Sequence, residues 1–148
     1  MSNLEKNLYK RVTVAPAKVE DLSKNEVAYR GFSTTDYTSN TYNLYNFELV
    51  KQDIINHFHI RKGEKLSDPS FGTIIWDALF EPFTESLRQA ILEDVTKIVN
   101  YDPRVNPVRI LVDSYESGIQ VEADLIFIPY NLQQTMQFRF DQRAGLLN

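Results

Sequence analysis

Glu122 and Asp124 are the two carboxylates whose spacing would suit acid–base chemistry. They stand two positions apart in a predicted strand, so their side chains share one face and lie about 7 Å apart. A glycosidase needs two carboxyl groups about 5–9 Å apart across a cleft, one of them with a raised pKa. The alternating pattern places both on the polar face of a half-solvated sheet, with no aromatic pocket. We therefore expect a solvated pair and no enzyme activity.

His57 and His59 are the only histidines in the chain, and imidazole is a common metal ligand. Both fall near the end of a predicted helix, where positions two apart point in directions that differ by about 200°. The chain has no cysteine, so a tetrahedral site would lack further ligands near this pair. We expect no bound metal and no other cofactor.

The segment from Gly63 to Gly72 is a turn-rich connector with a glycine at each end. Phosphate-binding loops follow a strand and end in Gly-Lys-Ser/Thr, whereas this connector follows a helix and lacks that ending. A nucleotide site is therefore not expected, and the glycines are predicted to supply positive φ angles. Apolar residues are expected to fill the groove between two helices: Phe71, Ile74, Ile75, Trp76, Leu79 and Phe80.

Composition limits the fold to one domain and excludes several partner classes. The chain has 148 residues, of which 43% are hydrophobic, and a formal net charge of −4. Residues 1–30 hold six Lys/Arg and four Asp/Glu, which leaves −6 on residues 31–148 and argues against a nucleic-acid partner. No apolar run reaches 18 residues and the start of the chain is polar, so we expect neither a membrane span nor a signal peptide. The lack of cysteine excludes disulfides and fits a cytosolic origin.

Residues 1–46 have little periodicity and are rich in Ser, Thr, Asn and Lys. Such a segment cannot easily bury a core of its own, so we expect an extended N-terminal arm that becomes ordered on binding. The alternative is that Tyr37, Tyr42 and Tyr45 pack on the flank of the domain itself. The folded domain is predicted to span residues 47–148.

The first predicted helix has one apolar and aromatic face. Asn43 or Asn46 is expected to cap its start, and it should end before Arg61. The residues at helical spacing are Phe47, Val50, Ile54 and Phe58.

The second predicted helix begins at Thr84, whose hydroxyl can accept a hydrogen bond from a first-turn N–H, and Glu85 adds negative charge beside the same donors. Pro103 disfavours helical geometry at Asp102, so this helix should stop close to Tyr101. Its apolar stripe consists of Leu87, Ala90, Ile91, Val95 and Ile98.

Beyond the second helix the pattern changes to strands. Val108, Ile110 and Val112 alternate with polar residues, and Ser117-Gly118 turns the chain into a second alternating run that ends at Phe127. A third run follows, with an inner set of Met136, Phe138 and Phe140 and an outer set of Thr135, Gln137 and Arg139. The predicted fold class is α+β, with two main helices packed on a C-terminal antiparallel three-stranded meander.

Several short motifs together resemble the baseplate wedge and sheath-initiator family of contractile-tailed phages, which has relatives in type VI secretion baseplates. They are Arg61-Lys62-Gly63-Glu64, then Pro69 and Phe71-Gly72, then a helix that closes on Tyr101-Asp102-Pro103-Arg104. The resemblance covers about residues 47–140. The family's corner is usually Glu-Pro-Arg and its loop Gly-x-Arg, whereas this chain has Asp102 and Lys65 at those places. A shorter carboxylate and the loss of a planar guanidinium alter the geometry toward a partner.

The resemblance implies a structural subunit of the virion's tail baseplate, assembled in the host cytoplasm, with no chemistry of its own. The partners that it implies are the helical bundle of other wedge subunits and the tail sheath subunits. It implies partner-binding residues in the corner and the loop: Asp102, Pro103, Arg104, Gly63, Glu64 and Lys65. A strand edge would receive the sheath, since unpaired backbone groups at an edge can be completed by a strand of another chain. That edge is predicted at Thr135, Gln137 and Arg139.

Three alternatives stand beside these interpretations. Asp102 and Arg104 can pair with each other or cap the helix end instead of binding a partner. The family has members labelled lysozyme-like, so a tail-associated peptidoglycan hydrolase is a second function. A soluble adaptor without sheath contact is a third. We expect no small-molecule substrate, no nucleic acid and no membrane among the partners.

Overall fold

The structure is a computed structural model, and it describes residues 29–33 and 43–147. Residues 1–28, 34–42 and 148 lie outside the described part, and with them the predictions for Tyr37 and Tyr42. The helices are α1 (Asn46–His59), α2 (Ile75–Ala78), α3 (Glu85–Tyr101) and a 3₁₀ helix (Ile128–Tyr130). The strands are β1 (Arg30–Phe32), β2 (Asn43–Tyr45), β3 (Val105–Tyr115), β4 (Gly118–Phe127), β5 (Leu132–Asp141) and β6 (Gly145–Leu147).

The main sheet is antiparallel, with the strand order β3-β4-β5-β6. Buried and half-buried residues alternate along β4, because successive side chains of a strand point to opposite faces. Phe138 of β5 lies opposite Val121, and Met136 lies opposite Ala123, so the apolar sets of both strands line one inner face. The predicted hairpin at Ser117-Gly118 and the predicted inner set of β5 are confirmed.

The predicted architecture of two helices on a three-stranded meander is wrong, although the α+β class is correct. A fourth strand, β6, pairs with the end of β5, where Arg139 lies opposite Leu147. A third helix, α2, precedes α3, and β1 and β2 form a separate two-stranded sheet. Strand β6 has three residues and α2 has four, and neither is long enough to show its period in the sequence.

Strand β3 departs from its predicted alternation at Val108. Its register against β4 shifts between Pro107 and Arg109, which is an irregularity of the β-bulge type. Val108 is consequently 54% exposed instead of joining Val112 on the inner face. Pro107 has no N–H to donate, so a break in the ladder at this point is expected on chemical grounds.

Both long helices lie where the sequence predicts them, but only one has the predicted cap. Thr84 Oγ1 accepts a hydrogen bond from the N–H of Leu87 at 3.2 Å, and α3 ends at Tyr101 as predicted. Helix α1 has Tyr45 at its N-cap position, without a side-chain cap. The predicted cap Asn46 instead adopts a φ of 49° and binds Tyr29, donating through its N–H (3.0 Å) and accepting through Oδ1 (3.2 Å). The asparagine therefore ties the residue before β1 to the start of α1.

The core lies between the inner face of the main sheet and helices α1 and α3. The ring centroid of Phe58 in α1 is 4.8 Å from that of Phe138 in β5. Phe127 meets the ring of Phe47 at 5.9 Å and that of Tyr29 at 6.3 Å, so the residue before β1 packs against the core edge-on. This packing fixes the two helices that carry the candidate site.

Candidate functional site

The predicted corner, residues 102–104, joins the end of α3 to the start of β3. Asp102 is the C-cap residue of α3, and its N–H donates to the carbonyl of Val99 at 3.3 Å. Its Oδ1 accepts from the backbone N–H of Arg104 at 2.9 Å and from Arg104 Nε at 2.8 Å. The alternative in which the two charged residues pair with each other is therefore what the structure contains.

The guanidinium of Arg104 reaches beyond the corner to a second carboxylate. Its Nη2 lies 2.6 Å from Asp53 Oδ2 in α1, 51 residues away in sequence. The same group lies 5.3 Å from the ring centroid of Tyr29, and the carbonyl of Arg104 accepts from the N–H of Ile128 at 2.9 Å. Arg104 thus links the corner to α1, to the residue before β1 and to the β4–β5 connection.

The ionisation of the corner follows from these contacts. Burial opposes the charge of Asp102, but its hydrogen bonds with Arg104 outweigh that effect, so the pKa of Asp102 lies below its ordinary value. The hydrogen bond with Asp102, aided by Asp53, raises the pKa of Arg104 above an already high value. Both groups are therefore charged at neutral pH, so they form a salt bridge and not a proton-transfer pair.

The loop of residues 61–73 carries the other predicted binding residues. The N–H of Lys62 donates to the carbonyl of Thr73 at 3.2 Å, and the N–H of Gly63 donates to the carbonyl of Pro69 at 2.9 Å. Glu64 is engaged within the loop, since its Oε2 accepts from the N–H of Arg61 at 2.9 Å. Hydrogen bonds within the loop therefore connect its two ends.

Both loop glycines have the predicted positive φ, but their surroundings differ. Gly72 has a φ of 108°, and a Cβ at this position would lie 2.6 Å from the carbonyl oxygen of Arg61. Gly63 has a φ of 88°, and no atom outside Gly63 and its two chain neighbours lies within 4 Å of the Cβ position. Gly72 is thus required by close packing and by its conformation, whereas Gly63 is required by conformation alone.

Three aromatic rings join the loop to the corner. His57 of α1 stacks on Phe71 at 3.7 Å between ring centroids, and Tyr101 meets both rings edge-on, at 5.4 Å and 5.3 Å. Lys65 Nζ lies 4.1 Å from the centroid of Phe71. The two predicted binding segments therefore belong to one face of the protein, which sequence spacing did not reveal.

His57 is a buried acceptor within this cluster. Its Nε2 accepts a hydrogen bond from the N–H of Gly72 at 3.2 Å, so this nitrogen carries no proton. Burial is the main reason that the pKa of His57 lies below its ordinary value; Lys65 acts in the same direction, and Asp94 and Asp68 oppose it. His59 lies on another side of α1, where its Nδ1 is 2.9 Å from the carbonyl oxygen of Ile55.

Two neighbouring grooves lie on this face and share a wall formed by His57, Phe71, Ile98 and Tyr101. The corner groove, with a volume of about 430 Å³, is completed by Asp53, Ile54 and residues 102–104. The loop groove, with a volume of about 270 Å³, is completed by Lys62, Asp68, Ser70, Gly72, Asp94 and Lys97.

Asp94 is a site residue that the sequence analysis missed, because it occupies a buried position in the apolar stripe of α3. Its Oδ2 accepts from Thr73 Oγ1 at 2.9 Å and from the N–H of Ile74 at 3.0 Å. Lys62 Nζ lies 3.6 Å from its Oδ1. Asp94 thus fastens the end of the loop to α3.

The apolar stripe of α3 differs from the prediction at one further position, since Ala90, which was predicted in the stripe, is exposed.

The predicted sheath-facing residues lie apart from the grooves, on β5. Their side chains contact β4: Thr135 Oγ1 donates to Asp124, Gln137 Nε2 donates to Glu122, and Arg139 Nε donates to Gln120. On its other side β5 pairs with β6 only at residues 139–141. Within the described residues no strand pairs with that side of Leu132–Phe138, which we call the open edge. A groove of about 320 Å³ runs beside it, lined by Lys51 and residues 135–138.

Glu122 and Asp124 are held by neighbouring side chains of the sheet. Arg109 binds both, with Nε at 3.0 Å from Asp124 Oδ2 and Nη2 at 3.3 Å from Glu122 Oε1. The hydrogen bond from Thr135 is the main reason that the pKa of Asp124 lies below its ordinary value. A general acid requires a raised pKa, so the lowered pKa of Asp124 does not suit it to that role.

The described residues also bear on metal binding and on membrane insertion. Residues 29–33 and 43–147 contain no group of three or more His, Cys, Asp or Glu side chains arranged to hold a metal ion. None of the helices in these same ranges is long and apolar enough to cross a membrane.

Comparison with known proteins places these features in a family. Residues 46–136 match the family model described as baseplate wedge protein gp25. Over 90 residues the chain is 27% identical to baseplate wedge protein gp25 of Enterobacteria phage T4, and the alignment covers 57% of this chain and 68% of the phage protein. The fold is similar to the crystal structure of a candidate tail lysozyme from Geobacter sulfurreducens, with a TM-score of 0.57 and 17% identity over 66% of this chain and 91% of that one. The family match runs from the start of α1 into β5 and so includes the loop and the corner.

Proposed function

The chain belongs to the baseplate wedge protein gp25 family, and from that premise we propose that it binds other wedge subunits and nucleates sheath assembly by strand addition. It acts as a structural subunit of a phage tail baseplate. The corner and the loop bind the wedge subunits, and the open edge of β5 receives a sheath strand. Its place is the tail baseplate of the virion, and it joins that baseplate in the host cytoplasm.

The binding of wedge subunits is supported by the preorganised face that carries both grooves. Arg104 and Asp102 fix the corner, and backbone hydrogen bonds fix the loop. A rigid face loses little conformational entropy when it docks, so more of its contact energy contributes to affinity. Tyr101 stands between the grooves and is 63% exposed. Exposed aromatic side chains on rigid surfaces are frequent binding hot spots.

One observation supports strand addition: among the described residues no strand pairs with the outer side of Leu132–Phe138, and a groove lies beside it. Met136 and Phe138 anchor the inner side of this stretch in the core, so the edge is held in place while no described strand pairs with its outer backbone groups. Arg139 lies opposite Leu147 of β6, so an added strand ends before Arg139. Of the three predicted edge residues, we therefore propose that Thr135 and Gln137, and not Arg139, lie beside an added strand.

A peptidoglycan hydrolase is the second function to consider, because the structural neighbour from Geobacter sulfurreducens is described as a candidate tail lysozyme. At 17% identity that likeness concerns the fold alone. Glu122 and Asp124 share the guanidinium of Arg109, and the pKa of Asp124 is lowered, chiefly by its hydrogen bond with Thr135. Neither carboxylate lines any of the grooves described above. We therefore propose a role without catalysis.

The proposal is tested by assembling baseplates with and without this protein and adding purified sheath subunits. We expect ordered sheath to grow only from baseplates that contain it, as seen by electron microscopy. Wedge binding without sheath growth would instead identify a soluble adaptor. Release of soluble muropeptides from purified peptidoglycan, abolished by Glu122→Gln, would identify a hydrolase.

A further inference from the structure

Lysine side chains gather at the loop groove, on a protein whose net charge is negative. The described residues contain four lysines, and three of them lie around this groove: Lys62 and Lys97 line it, and Lys65 lies over its Phe71 wall. Residues 31–148 carry a net charge of −6, since the chain carries −4 and residues 1–30 carry +2. Within the described part of the chain the lysines are therefore concentrated at one place.

The two acidic groups of the loop groove are already bound to neighbouring donors. Asp94 accepts two hydrogen bonds from Thr73 and Ile74, and Asp68 accepts from both the N–H and the hydroxyl of Ser70. Their carboxylates are thus held against the protein's own backbone. His57 in the shared wall accepts through Nε2 and adds no positive charge at this nitrogen.

The ammonium groups of Lys62 and Lys97 make few contacts with other described residues, so most of their N–H donors are available to a ligand. Lys62 Nζ is 3.6 Å from Asp94 and its side chain is 42% exposed. Lys97 lies on the solvent side of α3 and forms no ion pair with any other described residue. An ammonium group has three N–H donors, so both side chains can bind an added anion.

The adjoining corner groove differs in chemistry. Its wall is apolar where Ile54, Ile98 and Pro103 line it, and its acidic groups Asp53 and Asp102 are bound by Arg104. The side chain of Tyr101 is shared by the two grooves. One face therefore offers an apolar recess beside a recess with exposed lysine donors, which fits a segment with an apolar and an acidic side chain close together.

We propose that the loop groove binds an aspartate or glutamate of a partner wedge subunit, on a segment whose neighbouring apolar side chain fills the corner groove. This inference rests on the proposed binding of wedge subunits and names the chemistry of the partner segment. A protein carboxylate is favoured over a nucleic-acid phosphate, since the net charge of −6 on residues 31–148 repels a long polyanion.

The test begins with affinity. Lys97→Glu places a negative charge in the groove, and Arg88→Glu makes the same charge change on the exposed first turn of the same helix. We expect Lys97→Glu to weaken binding to purified wedge subunits about tenfold and Lys97→Met to weaken it less, with the loss shrinking at high salt. Arg88→Glu should bind within about twofold of the wild type. Circular dichroism confirms that each variant is folded.

A second measurement identifies the partner group directly. A zero-length carbodiimide joins amines to carboxylates that touch, so the wild-type wedge complex should yield cross-links from Lys62 or Lys97 to one partner Asp or Glu. Changing that acid to Lys should restore binding of Lys97→Glu. A wedge complex that forms without these cross-links, and that tolerates Lys97→Glu, overturns this inference and leaves wedge binding standing. Failure of the wild type to bind any wedge subunit overturns both this inference and the proposed binding of wedge subunits.

Discussion

Arg104 Nη2 lies 2.6 Å from Asp53 Oδ2, although the two residues are 51 positions apart. The same guanidinium also binds Asp102 through Nε and Nη2, so it bridges the two carboxylates. A planar guanidinium has five donors in fixed directions and can serve two carboxylates together. The corner is therefore anchored to α1 as well as to its own strand, and Arg104 has a structural role beside the one proposed in binding.

Arg104→Ala should lower the free energy of unfolding by about 2 kcal/mol, because it leaves the largely buried carboxylate of Asp102 without its charged partner. Arg104→Lys should lower it by about 1 kcal/mol, because one ammonium cannot bind both carboxylates at once. Asp53→Asn, at the more exposed end of the network, should cost under about 1 kcal/mol. Urea denaturation at pH 7 measures all three. Equal costs for Arg104→Ala and Asp53→Asn would show that Asp102 does not need Arg104.

Gly72→Ala should destabilise the protein far more than Gly63→Ala. Both glycines have positive φ, which costs a side chain about 1–2 kcal/mol. At Gly72 the added Cβ also meets the carbonyls of Ile60 and Arg61 at 2.7 Å and 2.6 Å, so we expect a total above about 3 kcal/mol. Thermal melting of the two variants gives the comparison. Similar melting temperatures would mean that the loop moves to admit the methyl group.

Stability should fall as the pH drops from about 7 to 5 because of His57. Burial lowers the pKa of His57 in the folded protein, whereas the unfolded chain takes up a proton near its ordinary value of about 6.5. The stabilising contribution is therefore complete above that value and is lost as the pH falls through the folded pKa. His57→Gln should flatten the dependence of the denaturation midpoint on pH in this window. His59→Gln, on the exposed side of the same helix, is the matched control and should retain the slope.

The elements with a long periodic pattern were predictable from sequence, and the short or bent ones were not. Helix α3 and strands β4 and β5 each bury residues at a regular spacing, which the sequence displays directly. Strand β6 has only three residues, and the bulge in β3 moves Val108 to the outside by a local break in pairing. Neither leaves a periodic signal.

The candidate site likewise has a part that the sequence indicated and a part that only the structure shows. The sequence motifs indicated the corner and the loop as separate segments, but the contact between them is tertiary. It runs through the rings of His57, Phe71 and Tyr101, which are far apart in the chain. Asp94 was missed because a carboxylate within an apolar stripe is read as a surface residue until its partner Thr73 is known.

The open edge of β5 yields a final prediction about sheath growth. Consecutive backbone N–H groups of a strand point to opposite edges. Of Gln134 and Thr135, one therefore donates toward β4 and the other points to the open edge. Proline at the residue whose N–H donates to β4 breaks the ladder of the domain and should unfold it. Proline at the other residue removes one donor from the open edge only, so the monomer should stay folded while sheath growth from baseplates stops.

Circular dichroism separates the two outcomes for the monomer, and electron microscopy of sheath grown on assembled baseplates gives the functional result. The backbone N–H of Gln137 points to the same edge as that of Thr135, so Gln137→Pro should behave like Thr135→Pro. Proline at Arg139 is unsuitable, because Arg139 lies opposite Leu147 in β6 and its loss would disturb that pairing as well. Normal sheath growth on every folded proline variant would exclude β5 as the nucleating edge. The unpaired side of β3, the other outer strand of the described sheet, would then be the next edge to test.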